Sequence, residues 1–175
     1  MHGSNRAVAR HRPPLLDLRL TLVDAPSVWR CVRMSSGATL ARAQRVFCVL
    51  FGWPGGRPHA FSAGTLHLAS GGVEERALTD TRLRHVIPDV GAELEFEYGE
   101  PPFQVHVVVE RLLPPNDGVT APTCLGGAGE APHIDSGGAW AWEEPHEVEE
   151  VPAYRGSLSI SVNVHAINAE LERLP

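Results

Sequence analysis

The chain has 175 residues, 43 % of them hydrophobic, and a formal net charge of −6. That length suits one domain with a core of its own, and the acidic balance argues against indiscriminate nucleic-acid binding. Cys31, Cys48 and Cys124 are widely spaced, the N-terminus has no apolar signal core, and no apolar run reaches membrane-span length, so a disulfide framework, a CxxC zinc site and a membrane partner are not expected, and the cytoplasm is the expected compartment.

Residues 1–14 carry Arg6, Arg10 and Arg12 with His2 and His11 and end in Pro13-Pro14, which predicts a disordered basic arm. Leu16, Leu18, Leu20 and Leu22 then alternate with Asp17, Arg19 and Thr21, the period of a half-buried strand. A turn at 24–27 leads to a second strand over 28–34, whose two faces read as mixed. Over 39–51, Leu40, Ala43, Phe47 and Leu50 recur at helical spacing behind Thr39 as N-cap, and Gly52 ends the helix. Short strands are predicted at 59–63 and 65–69, and a helical turn over 78–86 stopped by Pro88. Leu94, Phe96 and Tyr98 alternate with Glu93, Glu95 and Glu97, and a valine-rich strand follows from 103 to 113. The pair 92–113 is the clearest antiparallel hairpin. Residues 114–139, rich in Pro and Gly, read as one long loop. A short aromatic segment at 139–144, a final strand at 158–161 and a closing helix at 164–173 capped by Asn163 complete the reading. The predicted class is α+β: a single domain, mostly antiparallel sheet packed against a few helices.

Several landmarks recur in a fixed order: Val28-Trp29-Arg30, a helix ending in Gly52-Trp53, His59-Ala60-Phe61, and Phe96-Glu97-Tyr98-Gly99-Glu100. Phe103 and His106 follow, then Cys124-Leu125-Gly126-Gly127, the stretch 131–138 and the closing helix. Together they resemble the plasmid pRiA4b ORF-3-like family over residues 15–174. The resemblance implies a mixed domain built on an antiparallel sheet and an association with plasmids and mobile elements. It implies no established activity.

Three sets of residues are candidates for function. Family members with three cysteines after the second hairpin could hold zinc, which favours four soft or borderline ligands. Here only Cys124 remains, with Ala131 and Ser136 at the other two positions. His133, Asp135 and His106 are the residues left to complete a set, and no cofactor is expected. His59, Glu97, Glu100 and His106 could run general acid–base chemistry if the fold brings them together. Trp29 with Arg30, Trp53, and the pair Trp140 and Trp142 are candidate binding residues, the last two beside a run of glutamates from Glu143 to Glu150. Without a nucleophile motif or phosphate loop, the expected role is a non-catalytic interaction module with a protein partner. The alternatives are a DNA- or RNA-binding accessory using the arm, Trp29-Arg30 and a stripe of Arg30, Arg33, Arg42 and Arg45, and a metal-dependent hydrolase with an eroded Cys/His site.

Overall fold

The computed structural model describes residues 12–115, 122–136 and 162–175. The chain order is β1 (Leu15–Leu22), β2 (Trp29–Ser35), α1 (Leu40–Phe51), β3 (His59–Ala63), β4 (Leu66–Ala69), α2 (Glu75–Asp80), α3 (Leu83–Val86), β5 (Glu93–Tyr98), β6 (Phe103–Leu113), β7 (Thr123–Ala128) and α4 (Val164–Leu171). The strands form one antiparallel sheet in the order β4-β3-β5-β6-β1-β2-β7. The predicted hairpin 92–113 is present as β5 and β6, and it lies between the hairpins β3–β4 and β1–β2.

One face of the sheet is apolar because the strand period puts every second side chain there. Leu18 and Leu20 from β1, Val32 from β2, Phe61 from β3, Phe96 from β5 and Val107 from β6 are all fully buried. Helix α1 covers this face with Leu40, Ala43, Val46, Phe47 and Leu50, joined by Leu78, Leu83 and Leu171 from the other helices. The Phe47 ring meets Phe61 and Phe96 at centroid distances of 6.3 and 5.4 Å. The helix starts and stops where its caps require. Thr39 Oγ1 accepts from the Arg42 N–H at 3.1 Å, and Gly52 takes φ 69°, a left-handed turn that glycine adopts without a Cβ penalty.

Three details differ from the sequence reading. Strand β2 alternates cleanly between buried and half-buried residues, because Arg30 counts as a core residue. The turn at 78–86 is two short helices, the first beginning at Glu75. The long loop after β6 contains β7, an edge strand paired with β2. Its glycines conceal it, since glycine weakens strand propensity, yet the pairing needs one. A Cβ on Gly127 would stand 2.7 Å from the Trp29 carbonyl oxygen. Asn168 of α4 holds this edge much as another strand would. Its amide accepts from the Cys124 N–H at 2.7 Å and donates to the Cys124 carbonyl at 3.1 Å. At the end of the predicted arm, the Pro14 carbonyl accepts from Ser36 N–H at 2.9 Å. Residues 1–11 and the segments predicted at 139–144 and 158–161 lie outside the described residues.

Candidate functional site: the helix-free face of the sheet

The second face of the sheet carries no helix among the described residues. The register lines up its side chains in rows. One row crosses six strands: His67 on β4, Ser62 on β3, Glu95 on β5, His106 on β6, Thr21 on β1 and Trp29 on β2. Neighbours in such a row are about 5 Å apart at Cα, so it forms a polar track some 25 Å long across the molecule. Glu93 and Glu97 flank Glu95 on β5.

Charge divides this face in two. On the β1–β2 side the cations have partners. Asp17, buried although it points to this face, takes a bidentate pair from Arg33 at 2.7 and 2.8 Å, with Arg111 3.9 Å away. Arg19 reaches Glu110 at 3.9 Å and lies 4.1 Å above the Trp29 ring. Cys31 donates weakly to Glu110, and burial, reinforced by that carboxylate, pushes its thiol up to about 11. On the β5–β6 side, the cationic group near Glu93 and Glu95 among the described residues is His106, at 3.4 and 3.8 Å. No arginine among the described residues pairs with Glu93, Glu95 or Glu97. Partial burial holds the Glu95 carboxyl above its usual range, His106 draws it down, and Glu93 and Glu97 push it up.

The sequence candidates fall in several places. Trp29 stands on the helix-free face, half-buried. Arg30, its neighbour, points the other way and is 4 % exposed. It donates to the carbonyls of Leu50, Trp29 and Ala128 at 2.9, 2.8 and 2.7 Å, tying the end of α1 to the β2–β7 edge. Trp53 is also core, 5 % exposed, stacked between Phe51 and Tyr98, with its indole N–H donating to the Pro132 carbonyl at 3.0 Å. Both side chains make their polar contacts within the fold, although Arg30 also borders a depression beside Glu130 and Asn163. Arg30, Arg33, Arg42 and Arg45 make no stripe: Arg30 is inside, Arg33 is held by Asp17 on the helix-free face, and the other two ride on α1. Trp140 and Trp142 lie outside the described residues.

The acid–base set is not assembled. His59 is in register with Tyr98, so its ring leaves the sheet on the covered side, whereas Glu97 points to the helix-free side. Both border one depression with His67 and Ser70. His106 borders another, beside Thr21, Pro26 and Glu95. Ser62 Oγ and His67 Nδ1 are 2.9 Å apart, a pair the sequence reading missed because only the β3–β4 register brings them together. That pair has no third group orienting the imidazole and no assembled oxyanion donors among the described residues, both of which acyl transfer needs. The metal set is dispersed too. Cys124 is buried on β7, while His133 is exposed beside Asp135, whose carboxylate takes the Arg57 guanidinium at 2.7 Å. Among the described residues no group of three or more His, Cys, Asp or Glu could hold a metal ion. The 129–136 loop is instead pinned by Trp53, Arg57 and Ile134, which packs beside Gly99.

Comparison with known proteins agrees with this architecture. No curated protein matches the chain. A crystal structure of a protein of unknown function, MM3350 from Methanosarcina mazei Go1, shares the fold with a TM-score of 0.62 and 24 % identity, over 75 % of this chain and 78 % of that one. The family model described as plasmid pRiA4b ORF-3-like protein matches residues 15–155. The chain, with its antiparallel sheet and helices on one side, belongs to the plasmid pRiA4b ORF-3-like family.

Proposed function

We propose that the chain is a non-catalytic interaction module that holds a protein partner on the helix-free face of its sheet, with a cationic, extended segment of that partner lying along β5 and β6. The observation that carries this reading is the charge division of the face. Arg19 of β1 and Arg33 of β2 are matched by carboxylates, whereas Glu93, Glu95 and Glu97 form an acidic row with no arginine opposite them among the described residues. Complementary charge favours a cationic partner and disfavours a phosphate backbone. Trp29 adds an aromatic edge to the same face, and Trp140 and Trp142 are kept in this reading as further aromatic contacts.

The test places a photo-crosslinking residue at Gln104, on this face beside Glu97, or at Glu170, on α4. A discrete adduct from position 104 alone, through an Arg- or Lys-rich peptide and lost in Glu93→Gln/Glu95→Gln/Glu97→Gln, supports the reading. Equal adducts from both positions, or none, overturn it. DNA and RNA are the competing partner class. Retention of either at physiological salt, with a steep salt slope that shallows when Arg6 and Arg10 are replaced, would put nucleic acid in the partner's place.

A further inference from the structure

Resting on that reading, we infer that the acidic row on β5 is regulated in cis: the chain's own residues 1–11 compete for it and lower its affinity for an outside cationic segment. Three observations converge on this occupant.

The first is composition. Residues 1–11 contain Arg6, Arg10, His2 and His11 and no acidic residue. The other long stretch outside the described residues, 137–161, carries Glu143, Glu144, Glu147, Glu149 and Glu150 against Arg155 and His146, so its net charge disfavours it on the row. The second is the charge layout of the sheet. A cationic segment gains little over β1 and β2, where Asp17 and Glu110 already face arginines. It gains most over Glu93, Glu95 and Glu97, whose mutual repulsion a cation relieves.

The third is reach. The described chain begins at Arg12, and Pro14 is fixed beside Ser36 immediately before β1 starts. Glu93 is level with Val108, and Val108 with Arg19. The near end of the row is therefore four residues along β1 from Leu15 and two strands to the side, about 16 Å from Leu15 and up to about 26 Å from Arg12, where residues 1–11 join. Eleven residues span up to about 36 Å when extended. The arm can run back over the face without disturbing β1, and tethering gives it a local concentration on the order of millimolar.

A weak tethered contact of this kind makes the site selective. An outside segment must carry more charge, or further contacts such as Trp29, to displace the arm. The contact also weakens with ionic strength, since the row is exposed and screened.

The experiment titrates a fluorescent twelve-residue peptide of alternating arginine and serine into four full-length chains: the native protein, Arg6→Ser/Arg10→Ser, Glu93→Gln/Glu95→Gln/Glu97→Gln, and a charge-matched control, Glu75→Gln/Glu130→Gln/Glu172→Gln. Amide NMR spectra are recorded for the native and Arg6→Ser/Arg10→Ser chains without peptide. The inference expects Arg6→Ser/Arg10→Ser to bind about tenfold tighter than native, with amide shifts confined to 93–97 and 104–108. The β5 triple variant should lose binding and the control should keep it. Equal peptide affinity with unchanged amides overturns cis regulation and leaves the partner reading standing. No peptide binding by any chain, yet shifts at 93–97 on replacing the two arginines, keeps the arm on the row and overturns the cationic partner. Equal loss in the triple variant and its control reduces the attraction to net charge and overturns both.

Discussion

The two faces of this sheet are made by the same strands and obey different rules. On the covered face Phe61, Phe96 and Tyr98 from β3 and β5 pack under α1, and even the Arg30 guanidinium there is spent on three backbone carbonyls. On the helix-free face the same β5 offers Glu93, Glu95 and Glu97, which meet only the side chains of His106 and Gln104 among the described residues. A one-residue period thus separates groups that hold the structure from groups that stand on its open face.

The sharpest way to probe that separation is to damage the covered face. Arg30→Ala leaves the Leu50, Trp29 and Ala128 carbonyls without their donor and opens a hole between α1 and the β2–β7 edge. We expect a loss of about 3–5 kcal/mol by urea denaturation, from buried carbonyls left without a donor and the packing lost with the side chain. A loss under about 1 kcal/mol would mean the carbonyls find other donors and that the core assignment of Arg30 is wrong.

Asp17 is where the separation should break. It sits on the helix-free face but is 4 % exposed and grips Arg33 with both oxygens. Asp17→Ala leaves Arg33 facing Arg111 without the carboxylate between them. A cost of about 2–3 kcal/mol is expected, an order more than for the acids on β5. An effect as small as theirs would make the whole face a free surface.

Alkaline pH distinguishes the faces by titration. Burial pushes the Cys48 thiol and the neighbouring Tyr98 hydroxyl up, to about 11 and about 12. The folded chain keeps these protons after the unfolded chain has released them. Their contribution is complete below the ordinary pKa, near 9 for the thiol, and is lost as pH rises through about 11. Stability measured by denaturant should therefore fall over that window, and Cys48→Ala should flatten the fall. Cys31 is raised to the same value but is half-buried on the other face, so Cys31→Ala should flatten it less. Equal flattening would show that solvent reaches both thiols alike.

Much of the fold was legible because alternation and helical spacing are strong in β1, α1, β5 and β6, and because Thr39, Gly52 and Asn163 are the caps their positions suggest. What escaped detection has physical reasons. Strand β7 is hidden by Gly126 and Gly127, which strand propensity disfavours, although the close approach to β2 requires the second of them. Arg30 read as a surface cation because its carbonyl partners come from three separate elements. The site was legible only in part. Trp29, Glu97 and His106 were named, but Ser62, His67, Glu95 and Thr21 join the row only through the order β4-β3-β5-β6-β1-β2, which no local pattern encodes.

The smallest effect is the most informative about function. Glu93→Gln/Glu95→Gln/Glu97→Gln removes three like charges from one strand of the open face, together with the two weak contacts to His106. The Glu95 carboxyl is held above its ordinary range, so its ionisation is easier in the unfolded chain. The group favours the folded state at low pH, and that advantage is lost as pH rises through its folded value. At neutral pH the triple variant should therefore match the native protein in stability or exceed it by a few tenths of a kcal/mol. Its acid-side stability profile should also be flatter. A row that costs the fold a little when it stands alone is no part of the scaffold. If the triple variant instead unfolds more readily, the glutamates belong to the scaffold and the division between the two faces fails at its most exposed point.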